Sequence, residues 1–275
     1  QGMLQLGLPL QERALRLAER IGDEQGVVRA SLAVGQSRLR LGLDDADRWM
    51  IRARDGALRH GLPRVALSAD NALAISAGQA GDFVAAREGF ESALRMAATY
   101  GFDDMIPPLT DNVAVAATRT GDYALARDMH EQAYAGAVER GDRSRAATSL
   151  GNLSEVRLLL GDVPGAVDAA RRAVELTEDG ALEPHAYAVT NLGMALLARG
   201  DAVEACAHHR SALEMAMRMS DPVLEASVRS NYGLAMLALG DAQEARALFQ
   251  RARELAAEHG VGFEEGRALV QLALL

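Results

Sequence analysis

The chain has 275 residues, 49% apolar but only 4% aromatic, and a formal net charge of −9. Such an acidic chain, with no basic stripe, is poorly suited to bind nucleic acid or an anionic membrane. A core of Ala, Leu and Val suits closely packed helices better than an aromatic-rich sandwich or barrel.

All 29 basic residues are Arg. A GC-rich genome accounts for the bias, and its consequence is that every cation is a planar fork suited to carboxylates and carbonyls. The single cysteine, Cys206, leaves no intrachain disulfide framework and fits a reducing, cytoplasmic location. No apolar run reaches the length of a membrane span. Gln at position 1 leads us to expect a piece of a longer polypeptide.

From the N-terminus, the predicted elements recur with a period near 40. A lone helix over about 3–21 carries Gly7 and Ala14 and ends at Gly22. The hairpin at about 24–60 turns at Gly42, carries Ala46 and Ala53 in its second helix, and closes on Gly61. Hairpins at about 63–100, 103–140 and 143–179 turn at Gly81-Asp82, Gly121-Asp122 and Gly161-Asp162. Their second helices carry Ala86 and Ala93, Ala126 and Ala133, then Ala166 and Ala173, and they close on Gly101, Gly141 and Gly180. Hairpins at about 183–219 and 222–259 turn at Gly200-Asp201 and Gly240-Asp241, carry Ala205 with Ala212 and Ala245 with Ala252, and close on Ser220 and Gly260. A final helix begins near 262.

Each mark has a physical role. The turn Gly supplies a left-handed residue that ends the first helix, and the Asp after it accepts from exposed amides of the second. Asp201 with Glu204, and Asp241 with Glu244, are spaced as capping boxes. Alanines seven apart share one face, so a neighbouring helix can approach closely. No stretch alternates apolar and polar residues as a half-buried strand would. The expectation is an all-α chain, one solenoid over 1–275.

The unit resembles the tetratricopeptide repeat through Leu192-Gly193, Leu196, Gly200, Ala205 and Ala212, and again through Tyr232-Gly233, Met236, Gly240, Ala245, Phe249 and Ala252. The period near 40 is similar to the long-repeat subtype of kinesin light chains and many bacterial regulators. The resemblance implies a right-handed α-solenoid superhelix whose first helices line a concave groove. Two departures stand out: the first hairpin lacks the Gly-Asp pair, and Arg157 occupies a position where the family prefers a large aromatic.

A further series runs along the first helices: Asn71, Asn112, Asn152, Asn191 and Asn231. A carboxamide both donates and accepts, so a ladder of them can grip the backbone of an extended peptide. In kinesin-light-chain-like repeats an Asn stands at the same place, and the resemblance implies peptide binding. The competing use is structural, each Asn bonding the next first helix. Asp70 and Asp111 precede two of these residues, and Glu155 and Arg119 lie one or two turns along. We add them as candidate groove residues, against the reading that they form a solvated face.

No phosphate loop, nucleophile elbow or zinc-protease motif occurs, and neither catalysis, a metal nor a cofactor is expected. His208 and His209 point about 100° apart on a helix and cannot chelate one metal together. His130 and His209 fall in the slot that Phe90 and Phe249 fill elsewhere, which predicts packed imidazoles. Cys206 and the ten Met residues read as core, and Trp49 as packed between repeats.

The expected function is binding of a protein, an extended peptide or a small effector in the groove, with no direct nucleic-acid or membrane contact. Segments such as Gly262-Phe263-Glu264-Glu265-Gly266-Arg267-Ala268-Leu269 resemble the repeat regions of large LuxR-type and antibiotic-regulatory activators. That resemblance implies a sensing region of a transcriptional regulator; the alternative is a stand-alone adaptor. Open solenoid ends are expected to favour self-association.

Overall fold

The computed structural model describes residues 2–275, with side chains from Gly7 onward. Its described residues form helices joined by short turns, with no strand. In order these are α1 (Gly2–Ile21), α2 (Glu24–Arg40), α3 (Ala46–Arg59), α4 (Pro63–Gln79), α5 (Phe83–Tyr100), α6 (Ile106–Arg119), α7 (Tyr123–Glu139), α8 (Arg143–Leu159), α9 (Val163–Thr177), α10 (Leu182–Arg199), α11 (Ala202–Met219), α12 (Pro222–Ala238), α13 (Ala242–Glu258) and α14 (Gly262–Ala273). The chain is an all-α array of helical hairpins. It divides into two compact units, Gln1–Ala133 and Tyr134–Leu275, with the division inside α7.

In the first unit α2 packs on α3 and α4 on α5, and α2 also lies beside α4. In the second unit α8 pairs with α9, α10 with α11 and α12 with α13. There α8, α10, α12 and α14 form a row in which each touches the next. These even-numbered helices bear the Asn series.

The turns follow from left-handed glycines. Gly42, Gly81, Gly121, Gly161, Gly200 and Gly240 all have positive φ, a conformation that costs an L side chain about 1–2 kcal/mol. Ser220 adopts the same conformation with φ 53°, the one described non-glycine to do so. Gly180 departs from the expected punctuation: its φ is not positive, and it stands two residues past Glu178, the cap of α9.

Asp82, Asp122, Asp162 and Asp241 each accept from the amide three residues on, at 3.0, 3.3, 3.0 and 3.0 Å. Asp201 corrects the capping expectation. Its side chain makes no cap hydrogen bond and instead takes the guanidinium of Arg199.

The alanine pairs are the seams of the array, buried at every position from Ala46 to Ala252. Two glycines show how tight the neighbouring contacts are. A Cβ on Gly193 would lie 2.5 Å from the His209 ring, and one on Gly233 would lie 2.4 Å from the Phe249 ring. Both rings come 16 residues after the glycine they cover, so His209 and Phe249 fill equivalent slots. The second unit's largest apolar cluster joins Leu192, Leu196, Cys206, Tyr232 and Leu248, with Cys206 Sγ 3.6 Å from Met236 Sδ. Trp49 is half-buried, donates to Asp45 at 3.3 Å and lies under the Arg52 guanidinium.

Candidate binding recess

The five asparagines share a repeat position but have different partners. In the first unit, Asn112 Nδ2 on α6 donates to Asn71 Oδ1 on α4 at 3.0 Å, a bond between neighbouring first helices. In the second unit, Asn231 on α12 is buried and accepts from Arg267 of α14 at 3.3 Å. That guanidinium also donates to the Ser227 carbonyl at 2.9 Å and pairs with Glu264 at 2.8 Å. Burial lowers the Arg267 pKa and raises that of Glu264, and the attraction between the two partly offsets both. Three of the five rungs therefore hold the array together.

Asn152 on α8 and Asn191 on α10 differ. Both are half-buried, and neither carboxamide makes a hydrogen bond to another described residue. They line a recess of about 400 Å³ between α8 and α10, with Ala147, Thr148, Gly151, Glu183, Pro184, Tyr187 and Ala188. Gly151 is needed for this geometry, because a Cβ there would sit 2.7 Å from Asn191 Nδ2. The lack of a side chain on α8 lets the amide nitrogen of Asn191 approach the α8 backbone closely.

Tyr187 and Glu183 are the residues that sequence reasoning missed. They precede Asn191 by four and eight positions, the spacing that stacks side chains along one helix face. Thr148 stands four before Asn152 in the same way. Burial pushes the Tyr187 phenol above the usual tyrosine range, and the Asp221 and Glu183 carboxylates add to the effect.

The flanking candidates are scattered. Asp111 is buried and bonds the fully buried His130 at 2.8 Å, so it joins α6 to α7 and is no groove residue. Asp70 is half-buried, its pKa raised by burial against the attraction of Arg54. Arg119 lines a recess of about 280 Å³ in the first unit with Asn112, Ile75, Phe83, Phe90 and Val115. Glu155 is exposed, three positions beyond Asn152 on α8. No group of three or more His, Cys, Asp or Glu among the described residues could hold a metal ion, and no described helix is long and apolar enough to cross a membrane.

Comparison with known proteins agrees with this architecture. A family model described as the tetratricopeptide repeat matches residues 106–179 and 185–258, just over half of the chain. No curated protein matches the sequence. Among solved structures, BtubC (BKLC) from P. vanneervenii is 20% identical, with 94% of this chain and 92% of that one covered and a TM-score of 0.55. A Rap protein complexed with competence and sporulation factor is 17% identical, with 94% and 71% covered and a TM-score of 0.72. The apo form of the quorum sensor NprR from B. thuringiensis is 14% identical, with 98% and 80% covered and a TM-score of 0.65. At these identities the likeness is one of fold.

Proposed function

The chain belongs to the tetratricopeptide repeat family, and from that premise we propose that it is a non-catalytic module whose α8–α10 recess binds an extended segment of a partner protein. The observation that carries the reading is the pair of uncommitted carboxamides, Asn152 and Asn191, facing one recess while the other three asparagines are bonded within the array. A half-buried amide without a protein partner gains most from a ligand that both donates and accepts, and an extended backbone does both.

The proposal extends to regulation. A Rap protein complexed with a competence and sporulation factor and the quorum sensor NprR share the fold, and the sequence resembles the repeat regions of large LuxR-type activators. On this reading the chain receives a peptide signal and passes it to attached or associated effector elements. A reporter assay in the native host, comparing wild type with the double Asn152→Ala, Asn191→Ala variant, tests that step; equal reporter output from the two would refute the regulatory role.

The same double variant tests the binding itself. Each lost hydrogen bond to an uncharged group is worth about 0.5–1.5 kcal/mol, so affinity for the partner should fall roughly five- to a hundredfold. The melting temperature should move little, because neither amide makes a hydrogen bond to another described residue. Lowered stability with unchanged affinity would mean that these two rungs are structural as well.

A further inference from the structure

The recess between α8 and α10 does more than present amides, and its charge specifies what it takes. We infer that the occupant is a basic peptide segment, with an Arg or Lys side chain lodged against the face of Tyr187 beside Glu183 and its backbone on Asn152 and Asn191. The inference rests on the binding reading above and adds the chemical class of the partner.

Three observations converge on a cation. First, Glu183 is an exposed carboxylate in the recess wall that makes no ion pair with a described residue, one helical turn from the half-exposed ring of Tyr187. Second, Asp221, at the start of α12, bears on the same phenol, so the ring stands in the field of two carboxylates. Asp221 also caps α12 by accepting from Val223 and Leu224, which fixes its position. Glu155 adds a further exposed carboxylate along α8 from Asn152.

Third, three cations on the surrounding helices are engaged elsewhere. Arg145 pairs with Asp142 at 3.4 Å, Arg229 with Glu225 at 2.8 Å, and Arg157 donates to the Gly165 carbonyl at 3.0 Å. Arg143, at the start of α8, lines the adjoining recess rather than this one.

An aromatic face attracts a cation through its quadrupole, and carboxylates beside it hold the charge without burying it. Tyr134 of the same unit shows the arrangement within the chain, with the Arg172 guanidinium 5.1 Å above its ring. The small floor of Ala147, Gly151 and Ala188 leaves room for the aliphatic stem of an Arg or Lys. An acidic peptide would meet the same carboxylates at close range and be rejected.

The test is selection of random octapeptides displayed on phage, using the whole 275-residue chain as bait, followed by fluorescence anisotropy on the enriched peptides. Peptides with a basic residue at a fixed position are expected. The Glu183→Gln variant should bind them about three- to tenfold more weakly, the effect shrinking as salt is raised. It should bind the same peptides with that basic residue changed to Ala no differently from wild type.

Glu183 lies in the first turn of α10, where the lost charge weakens the helix only slightly through its dipole, and circular dichroism checks that the variant is folded. Tyr187→Leu, which keeps an apolar side chain but removes the ring face, should weaken the basic peptides to a similar degree. Enriched peptides without a basic preference, still lost on Asn152→Ala, Asn191→Ala, would overturn the charge inference and leave the binding reading standing. Peptides indifferent to both sets of substitutions, or no enrichment at all, would overturn both.

Discussion

His209 offers a direct test of how the array is packed. It is fully buried, both ring nitrogens lack a hydrogen-bond partner, and burial, aided by the neighbouring His208, depresses its pKa from 6.5 to about 4. The folded chain therefore holds it neutral, whereas the unfolded chain protonates it near 6.5. Stability is complete above that value, falls as pH drops from 6.5 toward 4, and loses nothing more from this group below 4. At about 1.4 kcal/mol per pH unit the full loss is about 3 kcal/mol, with about 2 kcal/mol already gone at pH 5.

The control is His209→Phe, because Phe249 fills the equivalent slot over Gly233. Carboxylates that titrate over the same range act equally on both proteins, so the difference isolates the imidazole. Urea unfolding by circular dichroism at pH 7.5, 5 and 4 should show the Phe variant gaining on wild type as pH falls. Carbon-13 shifts of the His209 ring should report a neutral imidazole down to about pH 4. A stability difference independent of pH, or a ring that titrates near 6.5, would refute the argument.

Other substitutions read other features. Gly233→Ala forces a methyl against the Phe249 ring and should destabilise by about 1–3 kcal/mol in the same unfolding assay. Asp221→Ala removes a cap that accepts from two amides and should cost about 1 kcal/mol, whereas Asp201→Ala, with no cap bond to lose, should cost far less; equal losses would contradict the described turns. Arg267→Leu leaves Glu264 without its cation in a largely buried site and should destabilise by about 3–5 kcal/mol, relieved in part by the double change with Glu264→Gln. Ser220→Gly removes a left-handed L residue and should raise stability by up to about 1 kcal/mol, measured by thermal unfolding.

The architecture was legible because its determinants are local and repeated. A left-handed glycine and an alanine seam require only the residue itself, and the period displays each requirement several times. The use of each asparagine was not legible, because it depends on one residue of another helix. Asn231 is committed by Arg267, Asn71 and Asn112 commit each other, and Asn191 is placed by the absent side chain of Gly151.

Asp111 carried a signal that could have been read. Most buried imidazoles are hydrogen-bonded, so placing His130 in an apolar slot pointed to a polar residue nearby, although His209 in the equivalent slot has none. Asp201 could not have been anticipated from its capping-box spacing, since Arg199 competes for it from two residues away. Tyr187 and Glu183 were legible as a helical stripe leading to Asn191, but only a ladder of identical residues had drawn attention.

The row of α8, α10, α12 and α14 sets a ruler against any strand laid across it. Neighbouring helices stand roughly 10 Å apart, and an extended peptide advances about 3.3 Å per residue, so successive rungs fall about three residues apart. On the proposed binding mode, Asn152 and Asn191 span a single three-residue interval. Withdrawal of Arg267 from Asn231 would open a third rung and double that interval to about six residues. One guanidinium on α14 would thereby set how long a word of partner sequence the array can read.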